Sequence, residues 1–395
     1  MDKNRIINLT KKYQELFNSK PTHAVKSCGR LEVIGNHVDY SSGILINASI
    51  ENMSIVGVAA KRNDDIVHIV SLGYPAIEFK IDDIELDKEK DYETSKGLAK
   101  GVFKYFEGFE LKKGGFNIVM DSTLPSGVGV SSSAAFSMVI AKTLAMFYNE
   151  DKNIDNVFLA LASQWAENTY FGKQSGLQDQ LGSCSDGMEL LDFKDQKRPI
   201  ITHFNPDLGN YSIVLVKSKT SHANASDAFN EIPAAYKKVA NIFGETYLRF
   251  VNYDQFYEKY ILEENIGSRE FNRAFHFLNE IKRVSRSYRA LNSGDIEKFK
   301  DCINSSGISN YVFLKNILIP GQDDSNLLAV FKKSRQIIKD GAVRIHGGGF
   351  GGACFIIINK NELESYIKEM ELLVGKENIY RIEISPHALE WANIN

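Results

Sequence analysis

The sequence is short of the features that mark disulfide-rich, zinc-binding and linker-divided proteins. Only four cysteines occur in 395 residues, and no two of them form a C-x-x-C pair. This spacing excludes a cysteine zinc site and a disulfide framework, and it is typical of reduced thiols in the cytoplasm. Prolines number only eight, and no low-complexity segment separates one part of the chain from another. We therefore expect a continuously folded, cytoplasmic protein.

Long apolar runs and an excess of one charge are missing as well. No apolar run approaches the roughly 18 residues of a membrane span, and the first residues lack the apolar core of a signal peptide. The 47 basic side chains nearly balance 50 acidic ones, for a net charge of −3, and no basic block is present. Neither a membrane nor a nucleic acid is therefore the expected partner. With 43% hydrophobic and 25% charged residues, the composition is that of a globular protein.

The order of the hydrophobic periodicities predicts an α+β protein. A length of 395 residues, at roughly 150 per domain, favours two domains. Strand patterns fill the chain from Val25 to about residue 120, and helical spacing begins at Ser132. A mostly helical stretch follows, and the chain then ends in strand, glycine run, strand, helix and strand. Because strands and helices do not alternate as in a βαβ protein, we predict two α+β domains, 1–205 and 206–395.

A serine-rich loop lies between a predicted strand and a predicted helix. Its glycines let the backbone turn tightly, and its serines come where the helix begins. Hydroxyls, free amides and the positive end of the helix dipole then meet at one place, which favours phosphate binding. A glycine turn with a serine N-cap is the alternative, and the absence of G-x-x-x-x-G-K-[ST] excludes a P-loop. The residues concerned are Pro125, Gly127, Gly129, Ser131, Ser132, Ser133 and Ala134.

A second glycine run, His346–Gly352, matches G-x-G-x-x-G literally. A strand is predicted after it, whereas a dinucleotide-binding fold requires a helix there, so we reject that interpretation. Five glycines in six positions still need a cause, because each of them costs backbone entropy. We expect the main chain to approach a ligand, or the first glycine loop, closely at this point.

Polar side chains crowd a turn that follows the first predicted strand. Arg30 lies near the start of this strand, and Asn36, His37 and Asp39 follow its last residues. Short polar side chains on a turn are ordinary surface chemistry, and they are equally what a site needs to bind several hydroxyl groups. Arg30 either pairs with a carboxylate or phosphate or is solvated.

Two carboxylates occur around a predicted helix end. Glu167 lies on the end of the helix, and Asp179 follows in a loop that contains Gly176. A glutamate can hold a magnesium ion, and an aspartate can accept or steady a hydroxyl proton. Lone carboxylates are more often surface residues, so the order and spacing of the four stretches matter more than the residue types.

Together, the four stretches resemble the motifs of the galactokinase branch of the GHMP small-molecule kinases, in the family's order and over about residues 23–360. The matching segments are Gly29-Arg30…Ile34-Gly35…His37…Asp39-Tyr40, Leu124–Ala134, Gly176-Leu-Gln-Asp-Gln180 and Gly347–Gly352. The resemblance implies a ribosomal-S5-like N-terminal domain and a ferredoxin-like C-terminal domain, with the active site in the cleft between them. It also implies an ATP- and Mg²⁺-dependent sugar 1-kinase, and a monomer.

The resemblance further implies a role for each site residue. ATP phosphates would lie on the serine loop, with Ser133 (or its neighbour Ser132) and Glu167 as magnesium ligands. Asp179 matches the catalytic aspartate beside the sugar C1 hydroxyl, and Arg30 matches the arginine that stabilises this aspartate and the moving phosphoryl group. Sugar-hydroxyl ligands are matched by His37 and Asp39, and a backbone contact by Gly176.

The sequence departs from the family pattern on the sugar side. Asn36 occupies the position of a glutamate, and Phe229, seven residues after His222, replaces a tyrosine. Galactose or a close relative is the expected substrate, while galacturonate, N-acetylgalactosamine or another pyranose remains an alternative. A regulator that binds sugar and ATP without turnover is a further one. If Asn36 contacts the sugar, Asn36→Glu should improve the use of galactose over an anionic analogue.

Overall fold

The computed structural model describes residues 1–219, 226–262, 267–319, 321 and 325–394. Its α-helices are α1 Lys3–Phe17, α2 Lys88–Asp91, α3 Ser95–Gly108, α4 Ser132–Tyr148, α5 Asn156–Ala166, α6 Gln178–Gly182, α7 Ser226–Ile242, α8 Tyr253–Leu262, α9 Arg269–Asn292, α10 Ile296–Ser309, α11 Asn326–Ile337 and α12 Lys360–Val374. Its strands are β1 His23–Ile34, β2 Ile44–Lys61, β3 Ile66–Ser71, β4 Ile77–Lys80, β5 Phe116–Ser122, β6 Met188–Asp192, β7 Ile200–Phe204, β8 Tyr211–Lys217, β9 Gly341–His346, β10 Ala353–Asn359, β11 Ile379–Ile382 and β12 Glu390–Asn393.

The strands form two sheets. An eight-stranded sheet has the order β12-β1-β2-β5-β3-β4, and β6 pairs with both β2 and β7. Its strands are antiparallel except for the parallel pair β3 and β5. The second, four-stranded sheet has the order β11-β8-β10-β9 and is antiparallel throughout. The predicted α+β class is confirmed.

The second sheet shows how alternation along a strand assigns its two faces. On β8, Ile213 and Leu215 pack into a core with residues of α9, α10 and the first sheet. Val214 and Val216, between and after them, pack into a separate core with residues of α11 and α12. Since successive side chains point to opposite faces of a strand, both faces of this sheet are covered. The first of these cores joins the two halves of the chain.

The change from one sheet to the other falls close to the predicted boundary at residue 205. β7 ends the first sheet's run at Phe204, and β8 begins the second sheet at Tyr211. The chain does not stay in the second half, however, because β12 returns to pair with β1, from His23↔Asn393 to Lys26↔Glu390. The last strand was not predicted, and it adds residues from the end of the chain to the first sheet.

Most predicted elements agree with the structure to within two residues, and one helix was wrong in its last turn. Apolar residues at helical spacing over 157–171 predict a single helix, but α5 ends at Ala166, and Glu167–Phe171 forms a π-helical turn instead. All four cysteines are buried free thiols. Among the helices in the described part of the chain, none is both long and apolar enough to cross a bilayer.

Candidate active site

The centre of the site is an ion pair between Arg30 on β1 and Asp179 in the first turn of α6. Arg30 Nε and Nη2 donate to Asp179 Oδ1 over 3.0 and 2.7 Å. The arginine side chain is 6% exposed and the aspartate side chain 20%, so water screens the pair little. Burial would raise the pKa of Asp179, but the charges of Arg30 and Lys173 outweigh it and bring the pKa to about 2. Asp179 is therefore an ionised acceptor at neutral pH, held in one position.

The serine loop runs beside this pair. Gly127 and Gly129 have φ values of +71° and +78°, in the left-handed region that favours glycine. The main-chain N–H of Arg30 donates to the carbonyl of Val130 over 3.0 Å, which ties the loop to β1. The loop is thus fixed against the strand that supplies the arginine.

The serines of the loop do not cap the helix that follows. α4 begins at Ser132, which is exposed, and the preceding Ser131 makes no capping hydrogen bond. The Ser131 hydroxyl instead lies near enough to Asp179 to lower the pKa of that carboxyl. The capping hydrogen bond of the N-cap alternative is thus absent at Ser131. Because the first amides of a helix lack intrahelical partners, the start of α4 is suited to an anion. Pro125 is partly buried in the loop, and Ala134 is buried within α4.

Glu167 lies on the π-helical turn, and its carboxylate is surrounded by donors. Its Oε1 accepts from Ser133 Oγ over 2.8 Å and from Lys173 Nζ over 3.0 Å. Its Oε2 accepts from Ser175 Oγ over 2.9 Å and from Gln180 Nε2 over 2.7 Å. The Glu167 side chain is only 1% exposed. The structure therefore brings the two predicted metal ligands, Glu167 and Ser133, into contact.

This donor set fits a magnesium ion that shares its ligands with a phosphate. The described residues contain no cluster of three or more His, Cys, Asp or Glu side chains arranged for a metal. Mg²⁺ in kinases is usually held by one or two protein oxygens, with phosphate oxygens and water as its other ligands. One carboxylate and one hydroxyl, next to a phosphate-type loop, meet that requirement.

Two lysines near the loop were missed by sequence reasoning. Lys173 contacts Glu167, as described above. Lys217, the last residue of β8, lies against the serine loop, since a Cβ built on Gly127 would be 3.6 Å from its Nζ. No spacing rule connects these lysines with the loop, because the fold alone brings them together.

The structure places three of the predicted sugar-side residues around one cavity. The cavity has a volume of about 610 Å³, and Asp39, Gly176 and Phe229 line it together with several side-chain amides. This volume lies within the range of about 300–1,000 Å³ that is usual for small-molecule sites. A Cβ at Gly176 would overlap Asp39 Oδ2, so only glycine fits beside that carboxylate. His222, from which Phe229 was counted, lies outside the described residues.

Asp39 is a buried carboxylate with an unusual proton affinity. Burial and the nearby charges of Asp179 and Glu32 raise the pKa of Asp39 to about 7. Its Oδ1 accepts from the main-chain N–H of Tyr40 over 3.1 Å. The carboxyl group therefore exchanges a proton near neutral pH, and it can both accept from and donate to a hydroxyl.

His37 has a left-handed backbone, with φ of 58°, and its ring is fixed by the second glycine run. His37 Nε2 donates to the Gly348 carbonyl over 2.8 Å, so in the neutral ring Nδ1 is the acceptor. Burial lowers the pKa of His37, which keeps the ring neutral. The Phe229 ring lies beside it, with centroids 6.4 Å apart.

Asn36 does not line this cavity, contrary to the expected sugar contact. It is 0% exposed. Its Nδ2 donates to Glu32 Oε1 over 2.8 Å and to the Gly347 carbonyl over 2.5 Å. Its Oδ1 accepts from Asn310 Nδ2 over 2.9 Å and from Asn316 Nδ2 over 2.8 Å. With every polar atom of its amide engaged inside the protein, Asn36 holds the turn in place and has no atom left for a ligand.

Residues of the C-terminal half form hydrogen bonds with the main chain of the same turn. Glu280 Oε1 on α9 accepts from the main-chain N–H groups of Gly35 and Asn36 over 3.2 and 3.4 Å. His276 Nε2 donates to the Asn36 carbonyl over 3.1 Å, from 240 residues away along the chain. Sequence reasoning missed both residues, since only the fold brings α9 onto the turn.

The second glycine run contacts the first, as one of the two alternatives predicted. A Cβ built on Gly347 would lie 3.5 Å from the Gly129 carbonyl oxygen and 3.6 Å from Arg30 Nη1. A strand, β10, follows the run, as expected when the dinucleotide interpretation was rejected. The glycines therefore let this loop reach the serine loop, the arginine and the turn at Asn36.

The buried position of Asn36 changes the expected effect of Asn36→Glu. A second carboxylate would lie against buried Glu32, whose other partners are Arg344 and Gln178. Two unscreened like charges are costly, so the free energy of unfolding should fall by about 3–5 kcal/mol, measured by urea denaturation. The double variant Glu32→Asn/Asn36→Glu keeps one carboxylate in the network and should recover at least half of the loss. An Asn36→Glu protein as stable as the wild type would contradict this arrangement.

Comparisons with known proteins define the class. Two family models match, "GHMP kinases N terminal domain" over residues 97–187 and "Galactokinase galactose-binding signature" over residues 11–60. The crystal structure of Lactococcus lactis galactokinase complexed with galactose has a TM-score of 0.85 at 23% identity, covering 98% of this chain and 99% of that one. The Methanococcus jannaschii mevalonate kinase has a TM-score of 0.62 at 13% identity, with 94% and 96% covered. The fold is that of a GHMP small-molecule kinase, and the enzyme class is an ATP-using phosphotransferase.

Sequence relatives define the family. Galactokinase from Lactobacillus helveticus is 32% identical over 381 residues, which are 94% of this chain and 93% of that protein. Galactokinase from Clostridium perfringens (strain SM101 / Type A) is 28% identical over 366 residues, 90% of each. The chain belongs to the galactokinase family, and the predicted family is confirmed.

Proposed function

We propose that the protein transfers the γ-phosphoryl group of ATP to the anomeric hydroxyl of galactose or a close relative. The observation that carries this proposal is the Arg30–Asp179 pair, which lies beside the serine loop. Asp39 and Gly176, on the neighbouring cavity, supply the sugar side. Phosphoryl transfer depends mainly on positioning and charge stabilisation, so an acceptor, an arginine and a phosphate loop suffice.

In this proposal each member of the pair has its own task. Asp179, ionised with a pKa of about 2, orients the C1 hydroxyl and accepts its proton as transfer proceeds. Arg30 holds Asp179 and also stabilises the charge on the moving phosphoryl group. Its Nη1 is buried and has no hydrogen-bond partner among the described residues, so one guanidinium nitrogen is available for a phosphate oxygen.

The phosphates of ATP would lie on the loop from Gly127 to Ser133 and at the start of α4. The residues that this loop would supply to the ATP site are Pro125, Gly127, Gly129, Ser131, Ser132, Ser133 and Ala134. Magnesium, held by Glu167 and Ser133, would neutralise the phosphates when bound. The fold places these oxygens 2.8 Å apart, which supports their common role.

Glu167→Gln tests the metal part of the proposal. An amide removes a negative charge from a hard-cation site, so the Mg²⁺ concentration for half-maximal rate should rise roughly 10- to 100-fold. The measurement is a magnesium titration of the initial rate at saturating ATP and sugar. Glu150→Gln, at an exposed glutamate, is the matched control. An unchanged magnesium requirement in Glu167→Gln would leave Glu167 a structural role only.

The proposal also specifies which sugar is the substrate and which residues contact it. Asp39, His37 and Gly176 are the proposed sugar contacts. Phe229 lies on the cavity wall without the hydroxyl of a tyrosine, which favours some tolerance at one position of the sugar. Asn36 no longer supports an anionic substrate, since it is not on this wall, so we place galactose before galacturonate or N-acetylgalactosamine.

A panel of free sugars, assayed for ADP release in the presence of Mg-ATP, tests the whole proposal. We expect turnover with galactose and weaker turnover with relatives altered at C2 or C6. If ATP binds but no sugar is phosphorylated, the alternative of a non-catalytic regulator is favoured. A monomer in the cytoplasm is also part of the proposal, and light scattering on the purified protein measures its mass.

A further inference from the structure

Lys173 follows the π-helical turn and places its ammonium group on the buried carboxylate of Glu167. Lys173 Nζ lies 3.0 Å from Glu167 Oε1, the oxygen that Ser133 Oγ also contacts. The glutamate side chain is 1% exposed, whereas the lysine side chain is 51% exposed. The positive charge therefore reaches the proposed metal oxygens from the open side of the site.

The same ammonium group also acts on the ion pair of Arg30 and Asp179. Its charge is one of the causes that lower the pKa of Asp179, after that of Arg30. Lys173 therefore holds a positive charge on the proposed metal ligand, close enough to the proposed catalytic aspartate to act on it.

We propose that Lys173 is a second cation of the phosphoryl-transfer site, which neutralises Glu167 before the metal binds and contacts the transferred phosphate afterwards. This inference rests on the proposed function. A divalent cation on Glu167 and Ser133 competes with the ammonium group for the same Oε1. A lysine has a flexible four-carbon stem and three donors, so the displaced group turns to the nearest anion while its backbone stays in place.

Two features of the structure support the proposed move of the Lys173 ammonium group from Glu167 to the phosphate. Lys173 is half exposed, so its side chain has room to move. Its charge also acts on both Asp179 and Arg30, the pair beside which the phosphoryl group is proposed to be transferred. Once the metal has displaced the Lys173 ammonium group from Glu167, a phosphate bound beside Asp179 and Arg30 would offer it a new anionic partner.

Binding of Mn²⁺ to the nucleotide-free protein tests whether Lys173 competes with the metal for Glu167. Free Mn²⁺ is measured by electron paramagnetic resonance for the wild type, Lys173→Gln, Lys173→Arg and the control Lys152→Gln at an exposed lysine. Removing the competing charge should tighten Mn²⁺ binding about three- to tenfold in Lys173→Gln, as expected for a partly exposed ion pair. Lys173→Arg keeps the charge and should stay within about twofold of the wild type. Equal affinity in Lys173→Gln and wild type would overturn the competition.

Steady-state rates at saturating metal test whether Lys173 contacts the transferred phosphate. Lys173→Gln should lower kcat by roughly tenfold or more although its metal site is tighter, because a transition-state cation is missing. Lys173→Arg should recover part of that loss. A Lys173→Gln enzyme with wild-type kcat would overturn the phosphate contact. Failure of the proposed function looks different, since the wild type itself would then release no ADP with any sugar, while the Mn²⁺ titration still reports on Lys173.

Discussion

Asp179→Asn is expected to lower kcat by roughly 10²–10⁴, with little change in ATP affinity. The substitution keeps the shape of the side chain but removes both the charge and the proton acceptor. The nucleotide should still bind, because the phosphates are proposed to lie on the serine loop. Initial rates with saturating galactose and calorimetric titration with an ATP analogue measure the two quantities separately.

A control is needed, because Arg30 loses the opposite charge of its partner in this variant. Arg30 is buried, and an unpaired buried charge lowers stability. Thermal unfolding of Asp179→Asn therefore accompanies the kinetics, and Asp151→Asn, at an exposed position, gives the background effect of the same change. If Asp179→Asn is folded and turns over at near wild-type rate, Asp179 is neither the base nor the orienting group.

Arg30→Met should have the second large effect, a loss of roughly 10²–10³ in kcat. Methionine keeps much of the apolar stem but removes the charge opposite Asp179 and the nitrogen proposed for the phosphate. The pKa of Asp179 should then rise from about 2, because burial raises it and the largest opposing charge is gone. The carboxylate becomes protonated at a higher pH, so the acid limb of the rate profile should move upward in pH.

The direction of this pH shift separates a catalytic pair from a structural one. Arg62→Met breaks an ion pair of the same type, with Asp64, at a more exposed place, where the side chains are 25% and 47% exposed. The control should leave both kcat and the acid limb unchanged. An Arg30→Met enzyme that loses rate without any movement of the acid limb would mean that Arg30 does not set the ionisation of Asp179.

The motifs could be predicted from the sequence, whereas the residues that the fold packs around them could not. The loop before α4 and the strand structure of the segment that forms β2 were predicted because their patterns are local. Helix α3 was missed because Gly97 and Gly101 lower helical propensity, and the structure shows why glycine is there. A Cβ on Gly101 would lie 2.7 Å from the Cβ of Ala166, so the two helices approach too closely for a side chain.

The position of the Asn36 side chain could not be predicted from the sequence for a related reason. A motif gives the order of side chains, but not which of them face the ligand. Asn36 is turned inward by partners that lie 274 and 280 residues further along the chain, Asn310 and Asn316. Nothing near position 36 signals these contacts. The placement of Lys173 and Lys217 beside the loop depends in the same way on the finished fold.

The pairing of β12 with β1 also has a consequence for synthesis. β1 carries Arg30 and leads into the turn at Asn36, and over His23–Lys26 its outer edge is paired with Glu390–Asn393. During translation His23–Lys26 are made more than 360 residues before their partners on β12, so this part of the edge keeps unpaired N–H and C=O groups until those residues have been made. Lys26 already pairs with Glu51 on β2, and the same late segment adds a second carboxylate, Glu390, 3.0 Å from its Nζ. The first sheet is therefore completed after the second, and until then a short stretch of its edge strand is open to pairing with another chain.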